Sequence, residues 1–188
     1  MPQAFGQPPR SAETFRFFAD LMVAQSDDTY KVPGKQVNYV NRKPVGVAGL
    51  ITPWNTPFML ESWKLAPALA SGCTVVLKPA EFTPLSASLW AEIFREAGVP
   101  DGVFNLVNGI GEEAGASLVA HPDVPLISFT GETTTGKIIY RSCADNLKGM
   151  SMELGGKSPA VVFADADLDA AIDSTLFGVF SLNGERCT

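Results

Sequence analysis

Short apolar runs alternate with stretches of helical periodicity over most of this chain, and this alternation limits the fold more than any other feature. The runs are GVAGLI, CTVVL, VFNLV, PLISF, MSMEL and PAVVF. Apolar strands connected through helices predict right-handed β-α-β units and a mostly parallel sheet, because parallel strands need a crossover connection. The runs are apolar at successive positions, as in strands buried on both faces. The sequence therefore predicts a doubly wound α/β fold.

The first part of the chain has a different pattern. Apolar residues recur at helical spacing from residue 11 to residue 25 and predict one amphipathic helix. The segment TYKVPGKQVNYVNRKP then alternates apolar and polar residues around proline and glycine. This pattern indicates an extended ribbon with one face in water.

Composition excludes several classes of partner. The 188 residues carry a net charge of −6 without any run of Lys or Arg, which argues against binding to nucleic acid or to an anionic membrane. No apolar stretch approaches the ~20 residues that span a bilayer. Three scattered cysteines and one histidine argue against a disulfide framework and a structural zinc site, and we expect a cytoplasmic protein that binds no metal.

In a doubly wound sheet, ligands bind beyond the carboxyl ends of the strands, so the residues at those ends are the first candidates for function. Asn55 follows the run that ends in ITPW, and its amide could donate to a developing oxyanion or simply form an Asx-turn. Lys78 and Glu81 follow VVL, where a carboxylate can bind ribose hydroxyls or form a surface ion pair with the lysine.

Two further strand ends have the features of phosphate-binding loops. VNGIGEEAG places Gly111 and Gly115 in a GxGxxxG pattern, which differs from the dinucleotide fingerprint and could serve backbone geometry alone. Gly131 and Glu132 precede a predicted helix whose amino terminus would attract phosphate. Glu132 would compete with that phosphate unless it points away, and it could instead serve the helix dipole.

A carboxylate and a cysteine complete the set of candidates. Glu153 ends an apolar run, and burial beside apolar neighbours would raise the pKa of a general base there; a capping role is the alternative. Cys187 follows a Gly-Glu-Arg turn near the end of the chain, whereas Cys73 and Cys143 have the pattern of core residues. His121 lies in an HPDVP turn away from these strand ends, which argues against a His-based triad.

The ordered series PWN, LKPAE, FTG, ELGGKSP and Gly-x-x-Cys resembles the aldehyde dehydrogenase superfamily from about residue 45 onwards. The resemblance implies a Rossmann-like nucleotide-binding domain and three catalytic residues. Cys187 would be the nucleophile, Asn55 the oxyanion-stabilising amide and Glu153 the general base. It also implies that ten residues hold the cofactor, namely Ile51, Thr52, Pro53, Trp54, Lys78, Glu81, Gly131, Glu132, Leu154 and Gly155. The GxGxxxG turn adds Gly111 and Gly115 as cofactor-binding candidates.

The resemblance implies oxidation of a small aldehyde to an acid through a thiohemiacetal and a thioester on the cysteine. Glu81 favours NAD over NADP, because a carboxylate beside the ribose would repel a 2′-phosphate. The segments FTGETTTGKIIYR and FSLNGERCT are most similar to members that oxidise 5-carboxymethyl-2-hydroxymuconate semialdehyde, in the bacterial breakdown of 4-hydroxyphenylacetate through homoprotocatechuate. A Glu in the base position argues against acyl transfer to coenzyme A.

Members of this superfamily are longer at both ends, so the resemblance implies a partial chain. It implies a helical part over residues 1–28, an oligomerisation ribbon over 29–45, the NAD-binding domain over 46–154 and the start of a catalytic domain over 155–188. We expect a homodimer or homotetramer for the full-length protein and no aldehyde turnover by the 188-residue piece alone. A non-catalytic nucleotide-binding remnant is the alternative.

Overall fold

The computed structural model describes residues 2–34 and 36–187. The central sheet contains five parallel strands, namely β3 (Val47–Ile51), β4 (Thr74–Lys78), β5 (Phe104–Leu106), β6 (Leu126–Thr130) and β7 (Gly149–Glu153). Two further strands, β1 (Thr29–Val32) and β2 (Gln36–Tyr39), form a separate antiparallel ribbon. The helices are α1 (Pro2–Ala24), α2 (Pro57–Ala70), α3 (Pro84–Glu96), α4 (Ala116–Ala120), α5 (Thr133–Ala144) and α6 (Leu168–Phe180).

The sheet has the strand order β5-β4-β3-β6-β7, and every neighbouring pair is parallel. Within this sheet, the chain runs from β3 outward through β4 to β5, and then returns to the other side of β3 for β6 and β7. The strand order thus reverses between β3 and β6, which is where doubly wound sheets open a crevice for ligands. The predicted doubly wound α/β fold is confirmed.

Each face of the sheet buries its own apolar cluster. Leu50 and Ile51 are neighbours in β3 and point to opposite faces, because side chains alternate along a strand. On the face of α2 and α3, the indole of Trp90 stacks on Phe58 with ring centroids 4.1 Å apart. On the other face, Ile139 of α5 packs in the cluster around Ile51. Burial on both faces explains why the strand runs are almost wholly apolar.

Two predicted elements differ from the observed ones. The first helix begins at Pro2 and not at residue 11, and it contains Pro8 and Pro9, whose missing N–H groups make them poor signals of a helix. The run PAVVF, at residues 159–163, is not a strand. Its Val161 and Phe163 are 74% and 73% exposed, and no strand pairs with it among residues 2–34 and 36–187. A strand without a partner leaves its backbone hydrogen bonds unmade.

The ribbon and the domain ranges were also predicted from the sequence. The predicted ribbon is the antiparallel pair β1 and β2, but all four residues of β2 are exposed, so β2 has both faces in water and not one. Met1, Lys35 and Thr188, which fall within the predicted domain ranges, lie outside the described residues. The division into domains stays a prediction. Among the helices that the structure describes, none is both long and apolar enough to cross a membrane.

A carboxyl group is buried in the core beside Trp90. Glu61 of α2 is fully buried, and its Oε2 accepts a hydrogen bond of 2.8 Å from the Trp90 indole. Its Oε1 has no partner among the described residues. Burial raises the pKa of Glu61 from its ordinary 4.5 to about 7, although the Trp90 hydrogen bond acts in the opposite direction. The folded protein therefore resists the ionisation of this group.

Glu61→Gln is expected to remove a pH dependence of stability. The unfolded chain loses the Glu61 proton at lower pH than the folded one, so the free energy of unfolding should fall as pH rises from about 4.5 to about 7. The fall is at most roughly 3 kcal/mol, the equivalent of this pKa difference. Urea denaturation at about pH 5 and about pH 8 measures it. Glu92→Gln, on the exposed side of α3, is the control. If the free energy of unfolding changes equally between the two pH values in wild type and in Glu61→Gln, the account is wrong.

Candidate active site

A cavity of about 360 Å³ opens at the carboxyl ends of β3, β6 and β7, where the strand order reverses. Residues 185–187 line its other side. Nine of the residues predicted from sequence line this cavity, namely Pro53, Trp54, Asn55, Gly131, Glu132, Glu153, Leu154, Gly155 and Cys187. The structure thus brings the three predicted catalytic side chains to one cleft, although 132 residues separate Asn55 from Cys187 in sequence.

The side chain of Asn55 holds the backbone next to Cys187. Its Nδ2 donates to the carbonyl of Glu185 at 2.7 Å, and its Oδ1 accepts from the backbone N–H of Thr56 at 3.1 Å. Because a backbone N–H can donate only to the oxygen of this amide, the second bond identifies Oδ1. The Nδ2 end therefore faces the segment that leads to Cys187. The other N–H of this amide has no partner within the described part of the chain.

The segment that leads to Cys187 is a tight turn with unusual backbone angles. Leu182, Asn183 and Gly184 have φ values of 55°, 58° and 78°, all in the left-handed region. Such a conformation costs a residue with a Cβ atom, such as Leu182, about 1–2 kcal/mol, because the Cβ crowds the following carbonyl oxygen. Strain of this kind persists where the surroundings hold it, and it is common at functional sites. The turn brings the chain from the end of α6 back against Asn55.

Cys187 itself is exposed, whereas the other two cysteines are buried. Ser158 donates a hydrogen bond of 3.3 Å to the Cys187 carbonyl, so the cysteine backbone is held on a second side. Cys73 and Cys143 lie in the two apolar clusters, as predicted, and burial raises the pKa of the Cys143 thiol. Cys187 is therefore the cysteine whose sulfur a small molecule can reach.

Glu153 ends β7 and lines the cavity, but its surroundings differ from those expected. The sequence predicts a carboxyl buried beside apolar neighbours, and this is wrong, because the side chain is exposed. The reason is that β7 is an edge strand whose residues alternate between exposed and half-buried. The backbone of Glu153 remains tied to the sheet, since its carbonyl accepts from the N–H of Gly131 at 3.1 Å.

A buried ammonium group lies beneath Glu153. Lys64 of α2 is 8% exposed, and its Nζ donates to the Ser128 hydroxyl in β6 at 2.8 Å. Burial lowers the pKa of Lys64 to about 8, and the charge of Glu153 acts against that shift. Lys64 was not among the residues predicted from sequence, although a charged residue in the apolar segment SWKLAPALA was a signal of it.

The amino terminus of α5 is occupied by the protein's own carboxylate. Glu132 accepts hydrogen bonds from the backbone N–H groups of Thr134 and Thr135, at 2.6 and 3.0 Å. These two bonds are the main cause of the lowered pKa of Glu132. The arrangement agrees with the capping role that the sequence allowed for this residue. A phosphate could reach these amides only if the Glu132 side chain moved.

Lys78 and Glu81 form a pair at the end of β4. The lysine side chain is 4% exposed and lies 3.1 Å from the Glu81 carboxylate, which is 43% exposed. The backbone N–H of Glu81 and then the Lys78 ammonium lower the pKa of this carboxyl. The ion pair that the sequence allowed is therefore present, but its lysine is buried and only its carboxylate is at the surface. A donor beside an acceptor suits two vicinal hydroxyl groups.

The remaining predicted residues do not line the cavity. Ile51 and Thr52 are buried beneath its edge, and the N–H of Thr52 donates to the Lys78 carbonyl at 3.2 Å. Gly111 and Gly115 bound a π-helical turn after β5, two strands away from β3. Six residues that line the cavity were not among the predicted site residues, namely Leu60, Thr130, Gly156, Ser158, Glu185 and Arg186. The Asn-Gly pair at 183–184 was a turn signal that could have located Arg186.

Asn55→Ala should loosen the backbone around Cys187. The change removes the hydrogen bond to the Glu185 carbonyl, worth about 1 kcal/mol, so amides 184–187 should exchange hydrogen roughly 5-fold faster. Hydrogen exchange followed by mass spectrometry measures this. Asn105→Ala removes the side-chain hydrogen bonds to the carbonyls of Val75 and Gly102 at the far edge of the sheet. It should leave the exchange rates of amides 184–187 unchanged. Equal exchange in wild type and Asn55→Ala would show that the amide does not hold the turn.

Comparison with known proteins places the chain among enzymes of one family. The model of the aldehyde dehydrogenase family matches residues 1–188. The 5-carboxymethyl-2-hydroxymuconate semialdehyde dehydrogenase of Escherichia coli is 51% identical over 180 residues, which cover 96% of this chain and 38% of that protein. The chain thus spans little more than a third of the length of this relative.

Solved structures give the same result. HpcC from Thermus thermophilus is 59% identical with a TM-score of 0.93, over 97% of this chain and 36% of that one. An aldehyde dehydrogenase from Bacillus cereus in complex with NAD+ is 45% identical, also with a TM-score of 0.93, over 96% of this chain and 37% of that one. Because the family model matches all 188 residues of this chain, the chain belongs to the aldehyde dehydrogenase family.

Proposed function

We propose that this chain is the cofactor-binding and nucleophile-bearing part of an NAD-dependent aldehyde dehydrogenase. The observation that carries the proposal is the meeting of Asn55, Glu153 and Cys187 in one cavity at the point where the strand order reverses. Because the relatives are longer, the activity is proposed for a full-length protein that contains this chain.

Cys187 attacks the aldehyde carbon as a thiolate and forms a tetrahedral thiohemiacetal. Its exposed position allows the aldehyde to approach. The negative oxygen of this intermediate accepts from the second N–H of Asn55 and from the backbone N–H of Cys187. Loss of one such donor typically costs ~3 kcal/mol of transition-state stabilisation. The bond from Asn55 to the Glu185 carbonyl keeps donor and nucleophile in a fixed relation.

Glu153 acts after the thioester has formed on Cys187. Its carboxylate orients a water molecule and removes a proton from it, and the resulting hydroxide releases the acid. The exposure of Glu153 suits this role, since water reaches the carboxylate directly. A base dedicated to water also supports hydrolysis over acyl transfer to coenzyme A.

The residues present fit NAD. The Lys78–Glu81 pair offers a donor and an acceptor to the adenosine ribose. Pro53, Trp54, Gly131, Leu154 and Gly155 surround the cavity beside Cys187 and would hold the nicotinamide half, with Ile51 and Thr52 supporting that wall and Gly111 and Gly115 shaping the outer turn. When bound, NAD supplies the hydride acceptor for the reaction. Glu132 would turn away from the α5 amides to admit a phosphate group.

For the finer function, we infer that the aldehyde is 5-carboxymethyl-2-hydroxymuconate semialdehyde. The 51% identity to the E. coli relative supports this, together with the segments FTGETTTGKIIYR and FSLNGERCT. The same inference includes a cytoplasmic homodimer or homotetramer that uses the ribbon of β1 and β2. A different aldehyde, or a nucleotide-binding remnant without catalysis, would be the outcome if this semialdehyde is not oxidised.

Glu153→Gln should separate the two halves of the reaction. NADH should form once per active site, because thioester formation does not need the base, while steady-state turnover should fall by about 10²–10⁴-fold. Stopped-flow absorbance of NADH in the full-length protein measures both phases. Glu96→Gln, at the exposed end of α3, is the matched control. Unchanged steady-state turnover in Glu153→Gln would remove Glu153 from the role of base.

Glu81→Ala should weaken the preference for NAD over NADP. The Glu81 carboxylate has a lowered pKa, stays ionised at neutral pH and would repel a 2′-phosphate. We expect the ratio of kcat/KM for NAD to that for NADP to fall by about 10-fold, an effect of roughly 1.4 kcal/mol. Glu92→Ala, at an exposed position of α3, is the control. A ratio that does not change would show that Glu81 does not face the ribose.

A further inference from the structure

Ser158, in the segment that follows β7, has a strained backbone. Its φ is 40°, in the left-handed region that residues with a Cβ atom rarely adopt. In the described part of the chain, three other residues that are not glycine have such angles, namely Leu147, Leu182 and Asn183. The last two belong to the turn before Cys187. Strain of this kind persists where surrounding contacts hold it, so the contacts of Ser158 are of interest.

The hydroxyl of Ser158 connects its segment to the nucleophile. Its Oγ donates to the carbonyl of Cys187 at 3.3 Å, across 29 positions of sequence. Ser158 also lines the cavity of about 360 Å³ that contains Asn55, Glu153 and Cys187. The side chain therefore lies at the site without belonging to the three proposed catalytic residues.

The loop that carries Ser158 is fixed to the fold at its start. The carbonyl of Glu153 accepts from the N–H of Gly131 at 3.1 Å. Leu154 then packs against Gly136 of α5, where a Cβ would lie 2.6 Å from the leucine side chain. The bond from Ser158 to the cysteine segment holds the other end of this short loop. The loop thus connects the proposed base, Glu153, to the nucleophile through the backbone.

The hydrogen bonds of Asn55 and Ser158 hold the peptide groups on either side of the one that contains the Cys187 N–H. Asn55 binds the carbonyl of Glu185, in the peptide group that follows Glu185. Ser158 binds the carbonyl of Cys187, in the peptide group that follows the cysteine. The Cys187 N–H belongs to the peptide group between these two. Because peptide groups are planar, fixing both neighbours limits the rotation of the middle one.

We propose that Ser158 is a positioning residue that orients the backbone N–H of Cys187 towards the oxyanion of the thiohemiacetal. The inference rests on the proposed function and adds a residue that acts through the nucleophile without touching the substrate. Oxyanion donors are effective because their geometry is fixed before the charge develops. A misplacement of about 1 Å can cost 10²-fold in rate, so one hydrogen bond at this place has a measurable effect.

The first test compares attack on a carbonyl with attack on an alkyl iodide. At saturating NAD and hexanal, Ser158→Ala should lower the rate of the first NADH turnover in the full-length protein by about 10-fold. Iodoacetamide alkylates Cys187 by losing iodide and forms no oxyanion, so the alkylation rate should change less than about 2-fold. Equal losses in the two reactions would overturn the proposal.

The matched control is Ser88→Ala. Ser88 lies at an exposed position of α3, and its hydroxyl donates to the carbonyl of Pro84, also at 3.3 Å. The change removes a bond of the same kind and length far from the cysteine segment in sequence. It should alter neither the NADH rate nor the alkylation rate.

Two more variants separate the hydroxyl from the backbone strain. Ser158→Gly adopts the left-handed φ without strain but lacks the hydroxyl, so it should show the same loss of about 10-fold as Ser158→Ala. Ser158→Thr keeps the hydroxyl and should recover part of the rate. A wild-type rate in Ser158→Gly would show that only the backbone conformation matters and would contradict the proposal.

Hydrogen exchange tests the contact without turnover. In Ser158→Ala, amides 184–187 should exchange roughly 3-fold faster than in wild type, and in Ser88→Ala they should not change. If the wild-type protein oxidises no aldehyde, the proposed function fails, and the exchange rates still decide whether Ser158 holds the cysteine segment. Equal exchange in Ser158→Ala and wild type would overturn the proposal.

Discussion

The structure depends on the reversal of strand order around β3. Because β3 lies between β4 and β6 and is parallel to both, the ends of three strands meet beside Asn55. Side chains from β6 and from the segment before it pack closely against the middle of β3. A Cβ at Gly49 would lie 2.7 Å from the Ile127 side chain, so any larger residue at the centre of the strand would displace its neighbours. The position of the site is thus set by the core.

One side chain then connects this rigid sheet to the more strained segment that carries the cysteine. The turn at 182–184 has left-handed angles in two residues that are not glycine, and its geometry depends on contacts from outside it. Asn55 supplies one contact from the end of β3, and Ser158 supplies another to Cys187. The same amide that is proposed to stabilise the oxyanion therefore also places the nucleophile.

The sequence was sufficient for the fold and for most of the site because apolar runs and strand ends are local signals. It failed where the outcome depends on neighbours distant in sequence. PAVVF has the composition of a strand but lacks a partner among the described residues, and Glu153 is exposed at the edge strand β7. The sequence allowed Glu132 either to point away from a bound phosphate or to interact with the dipole of α5. Only the hydrogen bonds that it accepts from the α5 amides show that it caps the helix.

The central claim is that Cys187 forms the covalent intermediate, and the most direct test is to trap that intermediate. The full-length protein would be mixed with NAD and hexanal, quenched in acid within one turnover and digested for peptide mass spectrometry. The account predicts that the mass of the acyl group is found on the peptide that contains Cys187. NADH formation with the acyl group on Cys73 or Cys143, or with no acylated cysteine, would contradict it.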